Sequence, residues 1–354
     1  MNKYEIVDFL RGYSIFTIVL MHLLMGHMTG VYFKAILFGG AGVHVFILCS
    51  GFGLYLSYLK KPLSYGDFLR RRFDKIWVPY AIAVLLWGVW FLVSKGYFPV
   101  REVASHLLLY KMFSVELDTS LCYPYWFIST IVQFYLFWPL IVKVYRMRWG
   151  GAGLFIISLL WSTIVGLLGL EEERPWGSFF LQYIWEFALG MWIAERCLKP
   201  DGKATGSCWG KRTSSSGRAL LGNGGEKLMD IQAYKWWWLI AGAISGMGLS
   251  AMMAWNGGVL KLYNDIPSLI GYLSVALLVY KVGVKVVNRS FEWTNSFSYE
   301  LYLVHSLVFV VVGYLLTTSI SSFPISALLI IKFVIACIVA YIFKWFLIYS
   351  KLVK

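Results

Sequence analysis

Residues 6–26 read IVDFLRGYSIFTIVLMHLLMG, an apolar run that also carries Asp8, Arg11 and His22. A hydrocarbon layer about 30 Å thick takes about 20 helical residues, so the run has the length of one membrane span. The three polar residues interrupt it and no A-x-A-like cleavage site follows, so it is expected to stay as a first helix rather than be removed as a leader. Charges and imidazoles are costly in lipid. These three must therefore face protein or water, and each is a candidate for function.

Outward from this helix, runs of the same kind recur at 36–59, 77–95, 125–145, 152–169, 178–197, 236–256, 264–281, 297–317 and 325–348. Together they predict an all-α polytopic membrane protein of about ten transmembrane helices. Composition agrees: 59% of the 354 residues are hydrophobic and 14% charged, against about 25% charged in a soluble domain, and the mean hydropathy is +0.67. A single water-soluble globule is excluded. The net charge of +14, from 32 basic and 18 acidic residues, is read as topology rather than as a nucleic-acid partner. Cys49, Cys122, Cys197, Cys208 and Cys337 are scattered, without CxxC or Cys/His ligand spacing, so neither a disulfide framework nor a metal is expected.

Basic residues cluster at alternate junctions: Lys60, Lys61, Arg70, Arg71, Arg72 and Lys75 in 60–76, then Lys143, Arg146 and Arg148, then the segment 196–235, then Lys281, Lys285 and Arg289. The intervening junctions are poorer in Lys and Arg, which places both termini in the cytoplasm. Residues 199–235 are Gly/Ser-rich and basic, and divide a six-helix part, 1–198, from a four-helix part, 236–354. Trp236, Trp237 and Trp238 open that second part as an interfacial aromatic belt. No internal repeat is visible.

Within the first helix, Arg11 and His22 are three turns plus about 20° apart and about 16 Å along the axis, so they share a face. Asp8 and Ser14 lie three residues either side of Arg11, and Asp8 has the spacing for an i,i+3 pair with it. An imidazole kept neutral by burial is ready to act as a base, which makes His22 the strongest functional candidate. His44 and Ser50, in the second span, fit either interhelical hydrogen bonding and close packing or substrate contact. The run Arg70-Arg71-Arg72-Phe73-Asp74-Lys75 fits positive-inside bias and anionic headgroups as well as it fits the phosphates of a ligand. Glu300 and His305 sit in the ninth span, where interhelical hydrogen bonding competes with function.

Four segments together resemble acyltransferase family 3, the integral membrane acyltransferases of bacterial surface carbohydrates. They are Ile6-Val7-Asp8-Phe9-Leu10-Arg11-Gly12 with His22, the segment Val43 to Phe52 containing His44 and Ser50, Arg71-Arg72-Phe73-Asp74-Lys75-Ile76 with Pro79, and Phe297-Ser298-Tyr299-Glu300-Leu301-Tyr302-Leu303-Val304-His305. Trp185-Glu186-Phe187-Ala188-Leu189-Gly190 adds to them. Two departures stand out. Lys75 takes the second place of the family's R-x-x-R pattern, and Ile131 and Val132 stand where many members carry two carboxylates in the run that begins at Trp126.

The resemblance implies a membrane O-acyltransferase, in a bacterial cytoplasmic membrane, that moves an acyl group from cytoplasmic acyl-CoA, expected to be acetyl-CoA, to a hydroxyl of a surface polysaccharide or glycolipid. It implies His22 and Arg11 in catalysis, and Arg70, Arg71, Arg72 and Lys75 holding the CoA phosphates. Asp8, His44, Ser50, Trp126, Glu186, Tyr302 and His305 are implied at the substrate. Membrane lipids and a glycan or glycolipid acceptor are the expected partners; neither a metal nor a nucleic acid is expected. A multi-pass transporter of a glycan, lipid-linked sugar or small solute, with the Arg11–His22 stripe lining its path, is the alternative.

Overall fold

In lipid the backbone must satisfy its own hydrogen bonds, which leaves apolar runs of this length the helix as their structure. The computed structural model describes residues 4–198, 234–319 and 324–352, and every regular element among them is helical. In chain order these are α1 Glu5–Leu24, α2 Gly30–Leu37, α3 Gly42–Lys60, α4 Tyr65–Lys95, α5 Val100–Leu107, α6 Trp126–Leu136, α7 Trp138–Tyr145 and α8 Gly150–Leu167. Then follow α9 Arg174–Gly177, α10 Ile184–Leu198, α11 Trp236–Asn256, α12 Asp265–Val282, α13 Lys285–Asn295, α14 Ser298–Ser319 and α15 Ile325–Tyr349. The expected linker at 199–235 lies outside the described residues except for its last two.

The chain is thus an all-α polytopic membrane protein. Eight stretches among the described residues are long and apolar enough to cross a membrane. The two remaining expected spans take other forms. Residues 125–145 become α6 and α7, bent by 62° at their junction, where Pro139 withholds a donor and disfavours helical backbone at Trp138. Residues 178–197 start as turns and become helical only at Ile184.

The expected basic loop 60–76 is helical from Tyr65 onward. The 31 residues of α4 run unbroken for about 46 Å. Ser64 caps this helix, its Oγ accepting from Asp67 N at 3.2 Å and donating to Asp67 Oδ2 at 2.6 Å. Gly96, at φ +78°, closes it.

Helices approach closely where side chains vanish. A Cβ on Gly51 would lie 2.1 Å from the Phe187 carbonyl oxygen, and one on Gly190 2.0 Å from that of Leu48, so α3 and α10 meet backbone to backbone. Around this contact Phe52, Phe134, Trp138, Phe187 and Met191 form one apolar cluster. A second cluster joins α1, α4, α14 and α15 through Val19, Tyr80, Leu301, Val304 and Ala336, and a third joins α1, α3 and α12 through Phe9, Val45 and Tyr272. Outward-facing Ile330, Ile338, Ile342 and Ile348 give α15 a lipid-facing surface.

Between α4 and α6 the chain folds back along α4. Trp77 Nε1 donates to the Leu107 carbonyl at 2.9 Å, and Tyr80 and His106 join at 2.8 Å. The same connection is pinned to α14. Tyr125 Oη donates to the Leu303 carbonyl at 2.6 Å and Tyr302 Oη to that of Pro124. From there α6 runs to the end of the bundle that carries Arg72, whose guanidinium lies 5.9 Å from the Tyr135 ring.

Candidate active site

α1 and α14 bring His22 and His305 together, 283 positions apart in sequence. His22 Nδ1 lies 3.1 Å from His305 Nε2, and the rings stack at 5.1 Å and 18°. Their protons can be assigned from the neighbours. His305 Nδ1 faces the carbonyls of Tyr302 at 2.8 Å and Leu301 at 3.1 Å, which only accept, so Nδ1 carries the hydrogen. His305 Nε2 then offers its lone pair, to His22 Nδ1 and to Ser306 Oγ at 3.0 Å. The opposite tautomer of His22 would set two lone pairs face to face. His22 therefore holds its proton on Nδ1, and its Nε2 is left as a free base on a half-buried side chain.

A second polar cluster lies where α3, α10 and α12 meet. His44 Nδ1 is 2.7 Å from Glu186 Oε1, and its Nε2 is 3.8 Å from Asp265 Oδ1. Gln182 Nε2 donates to Asp265 Oδ2 at 2.7 Å and to the Leu262 carbonyl at 2.6 Å, while Ser162 donates to Gln182 Oε1 at 3.0 Å. Glu186 is fully buried, and its Oε2 has no hydrogen-bond partner among the described residues.

The expected Asp8–Arg11 pair does not form. Asp8 instead accepts from Asn295 Nδ2 at 2.9 Å, because α13 packs its end against α1. Arg11 Nε is left buried without an acceptor. Lys75 feels the charges of Arg72, Arg11 and Glu300, so α1 and α4 gather cations at one end of the bundle, beside the Glu300 carboxylate of α14. Arg70 and Arg71 point outward and are exposed. Beside this cluster lies a cavity of about 230 Å³ whose lining includes Tyr58, Lys61, Phe68, Arg72 and Trp138.

The other residues expected at the substrate have partners within the fold. Ser50 donates to the Phe46 carbonyl of its own helix at 2.8 Å, and the Tyr302 hydroxyl is engaged by Pro124. Trp126 packs on Arg174, 4.9 Å from the guanidinium, and on Tyr183. Tyr183 in turn lies 5.9 Å from His44.

Sequence reasoning missed Asn295, Gln182, Asp265, His106 and Lys111. Asp265 sits at the edge of its span, and His106 and Lys111 in a junction, so none registers as a charge inside an apolar run. His106 is fully buried, with Nε2 donating to the Ser120 carbonyl at 2.9 Å, and burial pushes it down to about 3. Lys111 is also buried. Its Nζ donates to the Asp118 carbonyl at 3.0 Å, and burial lowers it to about 8.

Fold and site together define a polytopic membrane protein with a hydrogen-bonded histidine pair and a cationic end in one helical bundle. The model of acyltransferase family 3, described as an acyltransferase domain, matches residues 4–349, and the chain belongs to that family: it is a membrane acyltransferase. No curated protein and no solved structure matches it.

Proposed function

We propose that the protein is an acyl-CoA-dependent O-acyltransferase, moving an acetyl group from cytoplasmic acetyl-CoA to a hydroxyl of a surface polysaccharide or glycolipid. The observation that carries this reading is the free Nε2 of His22, held in one tautomer by His305. The acceptor hydroxyl gives its proton to His22 Nε2 as its oxygen attacks the thioester carbonyl. The C–S bond then breaks, and the CoA sulfur takes that proton from the imidazolium. The products are the O-acetyl ester and CoA, with His22 restored. General-base help of this kind is worth about 10²–10⁴-fold.

The donor enters at the end carrying Arg72 and Lys75, where the unpaired Nε of Arg11 and the aromatic-lined cavity suit phosphates and a nucleotide base. From Arg11 to His22 is about 16 Å of helix, a gap that the extended arm of a CoA thioester bridges. In this reading the basic end and both termini face the cytoplasm of a bacterium, anionic lipids surround Arg70 and Arg71, and the acceptor arrives from the other side.

The test uses inverted vesicles containing wild type or His22→Ala, given labelled acetyl-CoA on the exposed face with native glycans and glycolipids. Label entering carbohydrate in the wild type alone is the expected result. Equal incorporation by both removes His22 as the base, and an intact thioester across a panel of acyl-CoAs overturns the donor assignment.

A further inference from the structure

A second, narrow recess lies at the opposite end of α6 from Arg72. It is lined by Lys111, Asp118, Trp126, Ser129, Arg174 and Ser178, among others, and has about 250 Å³ of free space including its mouth. The cavity proper is about 10 Å³, room for about one oxygen atom. The recess is built rather than incidental. The 96–125 connection supplies Lys111 and Asp118, the start of α6 supplies Trp126 and Ser129, and α9 with its following turn supplies Arg174 and Ser178.

Its hydrogen-bonding groups are left over. Ser129 and Ser178 are both more than nine-tenths buried, and the Oγ of each has no partner among the described residues. Buried polar groups of native proteins are rarely unpaired, so two orphans facing one recess point to a missing ligand. Charge is also unbalanced. Lys111 and Arg174 face one carboxylate, Asp118, and the Lys111 bond goes to that residue's backbone carbonyl rather than to its side chain. Arg174 is held by ring faces, 4.9 Å from both Tyr123 and Trp126, and makes no hydrogen bond to the described residues. Its planar fork is therefore oriented with its donors unused. A water would satisfy the two hydroxyls but leave the extra positive charge. A carboxylate answers both.

We propose that this recess seats the carboxylate of an acidic sugar acceptor, with Arg174 and Lys111 as its cations and Ser129 and Ser178 as its hydroxyl donors. The assignment rests on the glycan acceptor proposed above and narrows it to uronic-acid-type sugars.

The test is isothermal titration of the full-length protein in detergent with methyl β-D-glucuronide and with its neutral counterpart, methyl β-D-glucoside. The glucuronide is expected to bind at least about tenfold tighter, the scale of one charge-assisted pair. Arg174→Gln is expected to erase that preference and Ser178→Ala to weaken it, while both variants bind CoA like the wild type, which reports an intact bundle. Lys111 is too buried to serve as the main probe. Equal affinity for the two sugars, binding of neither, or a preference that survives Arg174→Gln each overturns the proposal. So does acetate competing as tightly as the glucuronide, which assigns the recess to any small carboxylate. Acetyl-CoA consumption is read separately. Transfer without a glucuronide preference removes only the acidic acceptor, and a preference with the thioester intact removes only the transfer reaction.

Discussion

Replacing His305 by alanine removes the group that fixes the His22 tautomer while leaving the basic end untouched. The lost contact is the bond from His22 Nδ1–H to His305 Nε2, 3.1 Å long, which becomes a bond from an imidazolium once His22 has taken the proton. A hydrogen bond to a charged group contributes about 1.5–3 kcal/mol, and at about 1.4 kcal/mol per decade this is roughly a 10- to 100-fold loss in kcat. Because the bond strengthens as charge develops, the loss falls on kcat and leaves the KM for acetyl-CoA near the wild-type value. Glutamine at 305 presents an oxygen that accepts the same hydrogen and should recover most of the loss. The assay is initial-rate transfer of labelled acetyl from acetyl-CoA in vesicles, with the acyl donor varied at fixed acceptor. His305→Ala turning over within about twofold of wild type, or a loss confined to KM, would falsify the positioning role.

Three further outcomes follow from the packing and the charges. Arg72→Glu should weaken CoA binding by about tenfold at low salt, whereas Arg71→Glu, on an exposed side chain, should change it much less; equilibrium dialysis at low ionic strength compares them. Gly51→Val should lower stability in detergent by about 3 kcal/mol, since its Cβ meets a backbone oxygen that cannot move aside. Gly53→Ala, with open space around it, should be silent in the same thermal unfolding experiment. Acid should destabilise the 96–125 region through His106. Its folded pKa is about 3 against about 6.5 when unfolded, so the unfolded chain binds the extra proton between these values and stability falls as pH drops through that window. Tyr80→Phe, which removes the hydroxyl bonded to His106 Nδ1, tests the same residue by loosening the region at neutral pH, read by hydrogen exchange.

The helical class was legible because hydropathy over some twenty residues is a strong local signal, and eight of the expected spans appear as long helices. The fourth is bent and the sixth becomes helical late, for an identifiable reason. Averaging over a window hides a single Pro139 and takes the apolar turns at 178–183 for helix. Site residues were legible one at a time. His22, His305 and His44 each stood out as polar groups in apolar runs, and Glu186 through the family resemblance, but their pairing did not, because partners 283 and 142 positions apart carry no mark of each other. Of the groups that were missed, Asn295, His106 and Lys111 sit in junctions, where a polar group looks like ordinary solvated loop, and Gln182 and Asp265 lie near the starts of their spans. Only the fold shows that the junction holding His106 and Lys111 turns inward, burying both.

The backbone between α5 and α6 is largely irregular, yet it packs among helices, and it is tied to Leu303 and Tyr302 of α14. Its anchoring partners lie on a helix made much later in the chain. During synthesis this segment leaves the ribosome about 180 residues before the helix that anchors it. It must therefore wait, unsettled, at the membrane surface or against incomplete neighbours until α14 inserts. Assembly is consequently not a sequence of independent insertions: the last helices complete the middle of the chain, and truncation before α14 leaves the earlier spans in place without the interior they enclose.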